Sequence, residues 1–136
     1  MLSKKAQYAF HALTYLVEHR GDAPVHTADI AAAKNISVKF LETILNELRR
    51  AGILGSRKGK GGGYYLLKDP AEVPLATVMR VIDGPIALLP CVSLNFYEPC
   101  DHCNQTRCGL NRLMAEVRDS TLNILENKTL NDLVLQ

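Results

Sequence analysis

Seven consecutive residues, Arg57-Lys58-Gly59-Lys60-Gly61-Gly62-Gly63, hold three cations and four glycines. A helix interior does not tolerate that glycine density, and a core does not accept that charge. The run is therefore read as an exposed turn. Ile53-Leu54 precedes it and Tyr64-Tyr65-Leu66-Leu67 follows it. Two short apolar runs around a glycine-rich turn predict a two-stranded hairpin. A nucleotide-binding phosphate loop would end in Lys-Ser or Lys-Thr, and that ending is absent. A plain flexible turn has no use for the charge, whereas cations on a glycine turn can meet phosphates or enter a narrow minor groove.

Upstream of the hairpin, helical periodicity predicts three helices. Over residues 3–20, Ala6, Ala9, Phe10, Leu13, Leu16 and Val17 recur at helical spacing, and Gly21, Asp22 and Pro24 end the run. Thr27 is read as the N-cap of a short helix, Ala28–Lys34, which Asn35 breaks. Ser37 caps a third helix that reaches about Ala51 and closes at Gly52, with Leu41, Ile44, Leu45 and Leu48 as its buried stripe.

Three helices followed by a hairpin is the order of a winged helix-turn-helix. In that motif the second helix of the turn pair lies in the major groove. Away from its leucine stripe, the helix from Ser37 to Arg50 offers Ser37, Lys39, Phe40, Glu42, Thr43 and Asn46. Glu42 can accept from a cytosine amine, and Thr43 and Asn46 can pair with base edges or phosphate. Lys39, Arg49 and Arg50 suit phosphates, as do Arg57, Lys58 and Lys60 of the wing. Taken alone, the helix also fits an ordinary amphipathic element with a solvated face.

Charge distribution favours the DNA reading. The net formal charge is +2, but residues 1–68 hold eleven Lys/Arg against five Asp/Glu, while residues 69–136 hold five against nine. A basic first half of +6 joined to an acidic second half of −4 suits a polyanionic partner for the first half. Apolar residues make up 47%, enough for a buried core. No segment has the length of a membrane span, and the first residues do not resemble a secretion signal, so a cytoplasmic location with no membrane partner is expected. No Ser-His-Asp, His-Glu-x-x-His or nucleotide motif is found, so a non-enzymatic role is expected; a small cysteine-dependent redox enzyme is the remote alternative.

The second half is organised around cysteines. Pro74 and Leu75 open a helix to about Ile82, and residues 83–108 then show no periodicity and contain all four cysteines, Cys91, Cys100, Cys103 and Cys108. In a reducing cytoplasm, clustered cysteines point to metal binding or redox chemistry rather than structural disulfides. A long helix starts at Gly109 and reaches about Asn127, with Leu110, Leu113, Met114, Val117, Ile124 and Leu125 on one face and Thr121 filling the gap. The tail, Thr129–Leu135, is short and apolar. The expected division is 1–82 for DNA binding, 83–108 for a sensor loop and 109–136 for the long helix and tail. His11 is placed on the exposed part of the first helix and is assigned no function, as are His19 and His26.

Three motifs carry a family resemblance: Lys4-Lys5-Ala6-Gln7-Tyr8-Ala9, Ile36-Ser37-x-x-Phe40-Leu41-Glu42 and Gly59-x-Gly61-Gly62-Gly63-Tyr64-x-Leu66. They resemble the IscR/NsrR family of dimeric bacterial repressors and activators, and the likeness extends over essentially the whole chain. The resemblance implies a mainly α fold: a winged helix-turn-helix with a two-stranded β wing and a long C-terminal dimerisation helix. It implies base contacts at Ser37, Lys39, Phe40, Glu42 and Thr43, with Glu42 helping to select promoter class, and a wing cation at Lys58. A homodimer on a palindromic double-stranded DNA operator follows. The resemblance also implies an iron–sulfur cluster, two-iron or four-iron, in the cysteine loop. The spacing departs from the common family pattern of three cysteines five residues apart. Where some members use a histidine after the last cysteine, this chain has Asn111; where others use a residue of the partner's first helix, it has Tyr8. Cys91 is then the simplest fourth ligand beside Cys100, Cys103 and Cys108, with His102 a weaker one. Zinc, or thiol sensing without metal at Cys100 and Cys103, are the alternatives.

Overall fold

A computed structural model describes residues 2–101 and 107–134. The element order is α1 (Lys4–Glu18), α2 (Thr27–Lys34), α3 (Val38–Arg50), β1 (Leu54–Arg57), β2 (Gly63–Leu66), α4 (Leu75–Ile82) and α5 (Gly109–Leu125). Short 3-10 turns lie at Pro70–Glu72, Pro90–Val92 and Leu130–Leu133. This is the mainly helical, winged arrangement expected from the periodicity.

The first helix begins where Ser3 caps it, its hydroxyl accepting from the Ala6 N–H at 3.0 Å. The same hydroxyl donates to the Asp83 carboxylate at the end of α4. The helix stops short of the expected residue 20. The His19 ring stacks on Tyr15 with centroids 3.8 Å apart, and its Nδ1 lies 2.9 Å from the Tyr15 carbonyl, which also accepts the His19 backbone N–H at 3.0 Å.

Thr27 is not the cap of α2. His26 occupies that position and makes no side-chain cap bond, so the helix already includes Thr27. The cause is tertiary. Val25 and Tyr64 exchange backbone hydrogen bonds of 2.8 and 2.9 Å, which hold the residues before α2 extended until the helix starts. Asn35 then ends α2 in the left-handed region, φ 54°, which asparagine tolerates better than most residues. Ser37 caps α3 as expected, accepting from the Phe40 N–H at 3.3 Å.

Leu41, Ile44, Leu45 and Leu48 are fully buried, as the stripe predicted. They join Ala6, Ala9, Leu13 and Leu16 of α1, Ile30 of α2, and Val78 of α4 in one cluster. Burying four such side chains contributes on the order of 8 kcal/mol, far more than any cap or surface pair in the helix. Gly52, at φ +81°, stops α3, and the Ile53 N–H returns to the Leu48 carbonyl at 3.0 Å.

The hairpin is tighter than the sequence suggested. Its strands pair antiparallel from Leu54↔Leu66 to Arg57↔Gly63. Gly55, Ser56 and Arg57 therefore belong to β1, not to the turn, and only residues 58–62 form the loop. The cross-strand ladder extends pairing past the last apolar residue.

Beyond α4 the chain runs to the Pro90–Val92 turn and then to α5. The expected stripe is split: Leu110, Leu113, Val117 and Ile124 are 41–59% exposed, whereas Leu125 turns inward. The inward face carries Leu122 instead, which packs with Ala76 and Ile86, and with Leu125. The Arg80 guanidinium meets Glu126 at 3.0 Å and ties α4 to the end of this helix. The tail then returns to the first core. Leu75 N–H donates to Lys128 O, Leu130 N–H donates to Val73 O, and the Leu130 side chain is fully buried there.

Gly63 has φ +154°, and a Cβ there would run into the backbone of Val25 and His26. Gly63→Ala is expected to lower stability by about 2 kcal/mol. Gly21→Ala, with no atom nearby, is expected to be neutral. Urea unfolding of both variants checks the contrast.

Candidate nucleic-acid interface and cysteine loop

Because one face of α3 is buried, the other is held outward. Ser37, Lys39, Glu42, Thr43, Arg49 and Arg50 are all exposed. Asn46 is half-buried, and its side-chain oxygen accepts from Arg49 at 2.6 and 3.2 Å. That fork fixes both side chains on the last turns of the helix. Thr43 donates its hydroxyl back to the Lys39 carbonyl at 3.3 Å. Phe40 differs from the others. It is half-buried and meets Tyr8 edge-to-face with ring centroids 5.7 Å apart, so much of its ring is engaged with α1. A second tie between the same helices is the Lys5–Glu47 ion pair at 2.7 Å.

The wing carries its cations in different settings. Arg57 ends β1, opposite Gly63, whereas Lys58 and Lys60 stand in the turn; all three are exposed. The Val25–Tyr64 pairing anchors the returning strand beside the start of α2. Between the end of α1 and the hairpin lies a cleft of about 350 Å³, with Arg20, Arg57 and Lys68 among its walls. Sequence reading singled out Arg57 but not Arg20 or Lys68. The excess of cations in residues 1–68 was the available signal, but only the folded hairpin brings these three to one cleft.

In the cysteine loop, the Cys91 and Cys108 thiols are half-buried and meet at one residue. Asn111 donates its side-chain amide to Cys91 Sγ at 3.3 Å and its backbone N–H to Cys108 Sγ at 3.4 Å. Cys108 is thus the N-cap of α5. Glu98 N–H donates to Pro90 O at 3.2 Å, turning the chain back so that the exposed Cys100 follows a closed loop. Cys103 and His102 lie outside the described residues. Among the described residues, no three His, Cys, Asp or Glu side chains gather closely enough to share a metal ion. The donors at hand are thiols, two of them brought to the same asparagine, a set that suits a thiophilic centre such as iron–sulfur or zinc. Sequence reading placed Asn111 in the position of a ligand but did not foresee its contact with Cys91, which joins residues 20 positions apart.

A helix-turn-helix pair, a paired wing bearing cations and an outward polar face on the second helix of the pair define a winged-helix transcriptional regulator. Within that class the chain belongs to the Rrf2 family, whose description is iron-dependent transcriptional regulator and whose model matches residues 2–136. It is 41% identical over 138 residues to an rrf2-like HTH-type transcriptional regulator of Rhodobacter capsulatus, covering 98% of this chain and 92% of that protein. It is 32% identical over 133 residues to the HTH-type transcriptional regulator IscR of Yersinia pseudotuberculosis, covering 98% of this chain and 78% of that one. Its fold matches CymR (YrzC), the global cysteine regulator of B. subtilis, with a TM-score of 0.80 at 28% identity, over 98% of this chain and 95% of that one. These relatives are transcriptional regulators, a non-enzymatic role, and the redox-enzyme alternative is set aside. Among the described residues, no helix is long and apolar enough to cross a membrane.

Proposed function

We propose that this chain acts as a homodimer that binds a palindromic DNA operator, with its affinity set by an iron–sulfur cluster in the cysteine loop. The observation that carries the DNA reading is the exposure of Ser37, Lys39, Glu42 and Thr43 on α3 in a fold that also presents Arg57, Lys58 and Lys60 on a wing. Ser37, Glu42 and Thr43 are the base readers, with Asn46 and the rim of Phe40 at the edge of that face. Lys39, Arg49, Arg50 and the wing cations neutralise phosphates. Residues 1–82 form the DNA-binding unit, residues 83–108 the sensor loop, and residues 109–136 the dimerisation helix and tail. The protein acts in the cytoplasm.

The dimer reading rests on the unpartnered face of α5. Leu110, Leu113, Val117 and Ile124 lie in one row with more than two-fifths of each surface open. A two-fold axis along that row buries it against itself and places two recognition helices about one DNA turn apart. The family description, iron-dependent, supports a metal group in the loop. Cys91, Cys100, Cys103 and Cys108 would hold it. When bound, such a cluster supplies a redox-responsive centre whose presence alters the path of the loop. Since the loop packs on α5, its path sets how two copies of that helix dock.

Three outcomes are expected. The double variant Arg57→Ala, Lys58→Ala loses roughly tenfold or more in operator affinity at fixed salt, and its salt dependence is shallower by about two counterions. Unchanged binding in a gel-shift titration counts against the wing contacts. Leu113→Asp combined with Val117→Asp sediments as a monomer and binds the operator at least about 100-fold more weakly; a dimer in analytical ultracentrifugation overturns the α5 interface. Anaerobically purified protein is coloured and contains iron and acid-labile sulfide. Colourless protein with one zinc per chain, or with free thiols and no metal, replaces the cluster with the corresponding alternative and leaves the DNA reading intact.

A further inference from the structure

The two bonds of Asn111 form a device that the proposed function does not use. Among the described residues, two side chains on one face of α5 reach the cysteine loop. Asn111 Nδ2 donates to Cys91 Sγ at 3.3 Å, and Arg118 Nη1 donates to the carbonyl of the next residue in the loop, Val92, at 2.9 Å. Residues seven apart share a helix face, so both ties grip the same short segment, the Pro90–Val92 turn. The Arg118 side chain is only 17% exposed, and its bond is to backbone, so it does not depend on the state of any sulfur. The Asn111 bond does. Its acceptor is a thiol sulfur, while the backbone N–H of the same residue holds Cys108 Sγ at 3.4 Å.

We propose that Asn111 is the positioning residue of the cysteine loop: its amide holds the Cys91 sulfur against the first turn of α5, so that any change at that sulfur is passed to the helix. An alkyl group on Cys91 Sγ adds bulk at the 3.3 Å contact, and a metal ion draws the sulfur toward its other ligands; either displaces the sulfur from the amide. Losing the bond releases the first turn of α5, which carries Leu110 of the outward row and leads into Leu113. Arg118, two turns on, keeps the rest of the segment in place and confines the change to that end. The inference deepens the sensing role given to the loop and rests on it.

The test uses the full chain, reduced and metal-free, so the absence of a cluster in the protein would not decide it. Iodoacetamide is applied above the ordinary thiol range, where rates report access to the sulfur, and each cysteine is followed by mass spectrometry. Asn111→Ala is expected to alkylate at Cys91 about fivefold faster than wild type, the opening factor of one ordinary hydrogen bond. Cys108 stays within about twofold, because its donor is backbone and survives the substitution. Asn111→Gln, which keeps the amide, recovers part of the protection at Cys91. Alkylation of Cys91 in wild type speeds amide hydrogen exchange in residues 109–113 but not around residue 122. Equal Cys91 rates in Asn111→Ala and wild type overturn the proposal. So does acceleration at both cysteines alike, which would mark general loosening of the helix start. Unchanged exchange in the first turn after alkylation overturns the coupling.

Discussion

The burial of one stripe on α3 governs the rest of the molecule. Leu41, Ile44, Leu45 and Leu48 have no exposed surface, and each packs into the cluster shared with α1, α2 and α4. A helix seated by four fully buried side chains cannot rotate about its axis without exposing them. The opposite face, from Ser37 to Thr43, is therefore presented at a fixed angle. Tyr8 against Phe40 and Lys5 against Glu47 add two smaller ties between α1 and α3. The hairpin follows α3 after a single glycine-terminated turn, so the wing takes its place from the same seating.

The second structural idea is a helix with two unlike faces. Inward, α5 meets its own chain through Asn111, Arg118 and Leu122. Outward, it shows Leu110, Leu113, Val117 and Ile124. The inward face touches the Cys91 turn, and the outward face is an exposed apolar row. Whatever moves one face tilts the other, because a helix transmits displacement along and around a stiff backbone. Its far end is also secured, by Arg80 on Glu126 and by the tail residue Leu130 in the first core.

Much of this could be read from the residues. The α3 stripe, the caps at Ser37 and Gly52 and the glycine turn are local patterns, and each produced the element expected. Thr27 failed as a cap because Tyr64, far along the chain, holds Val25 extended. Arg57 was read as a turn residue, yet it pairs with Gly63, since strand pairing continues wherever backbone partners face each other. Phe40 was read only as a groove residue, and its contact with Tyr8 was not visible in either helix alone. Four of the α5 stripe residues do share an outward face, but Leu125 was grouped with them and packs inward, and Leu122, which attaches the helix, was passed over.

By itself, then, the sequence determined the order of the elements, the Ser37 cap and the buried stripe of α3, because those depend on residues within a few positions of one another. It also singled out the cation-rich wing and the cysteine cluster as the candidate sites. Tertiary structure alone decided that the α5 row points outward, that Arg20 and Lys68 join Arg57 at one cleft, and that Asn111 reaches Cys91. Those facts depend on contacts between separate elements of the chain, which no local periodicity encodes and only the folded structure brings together.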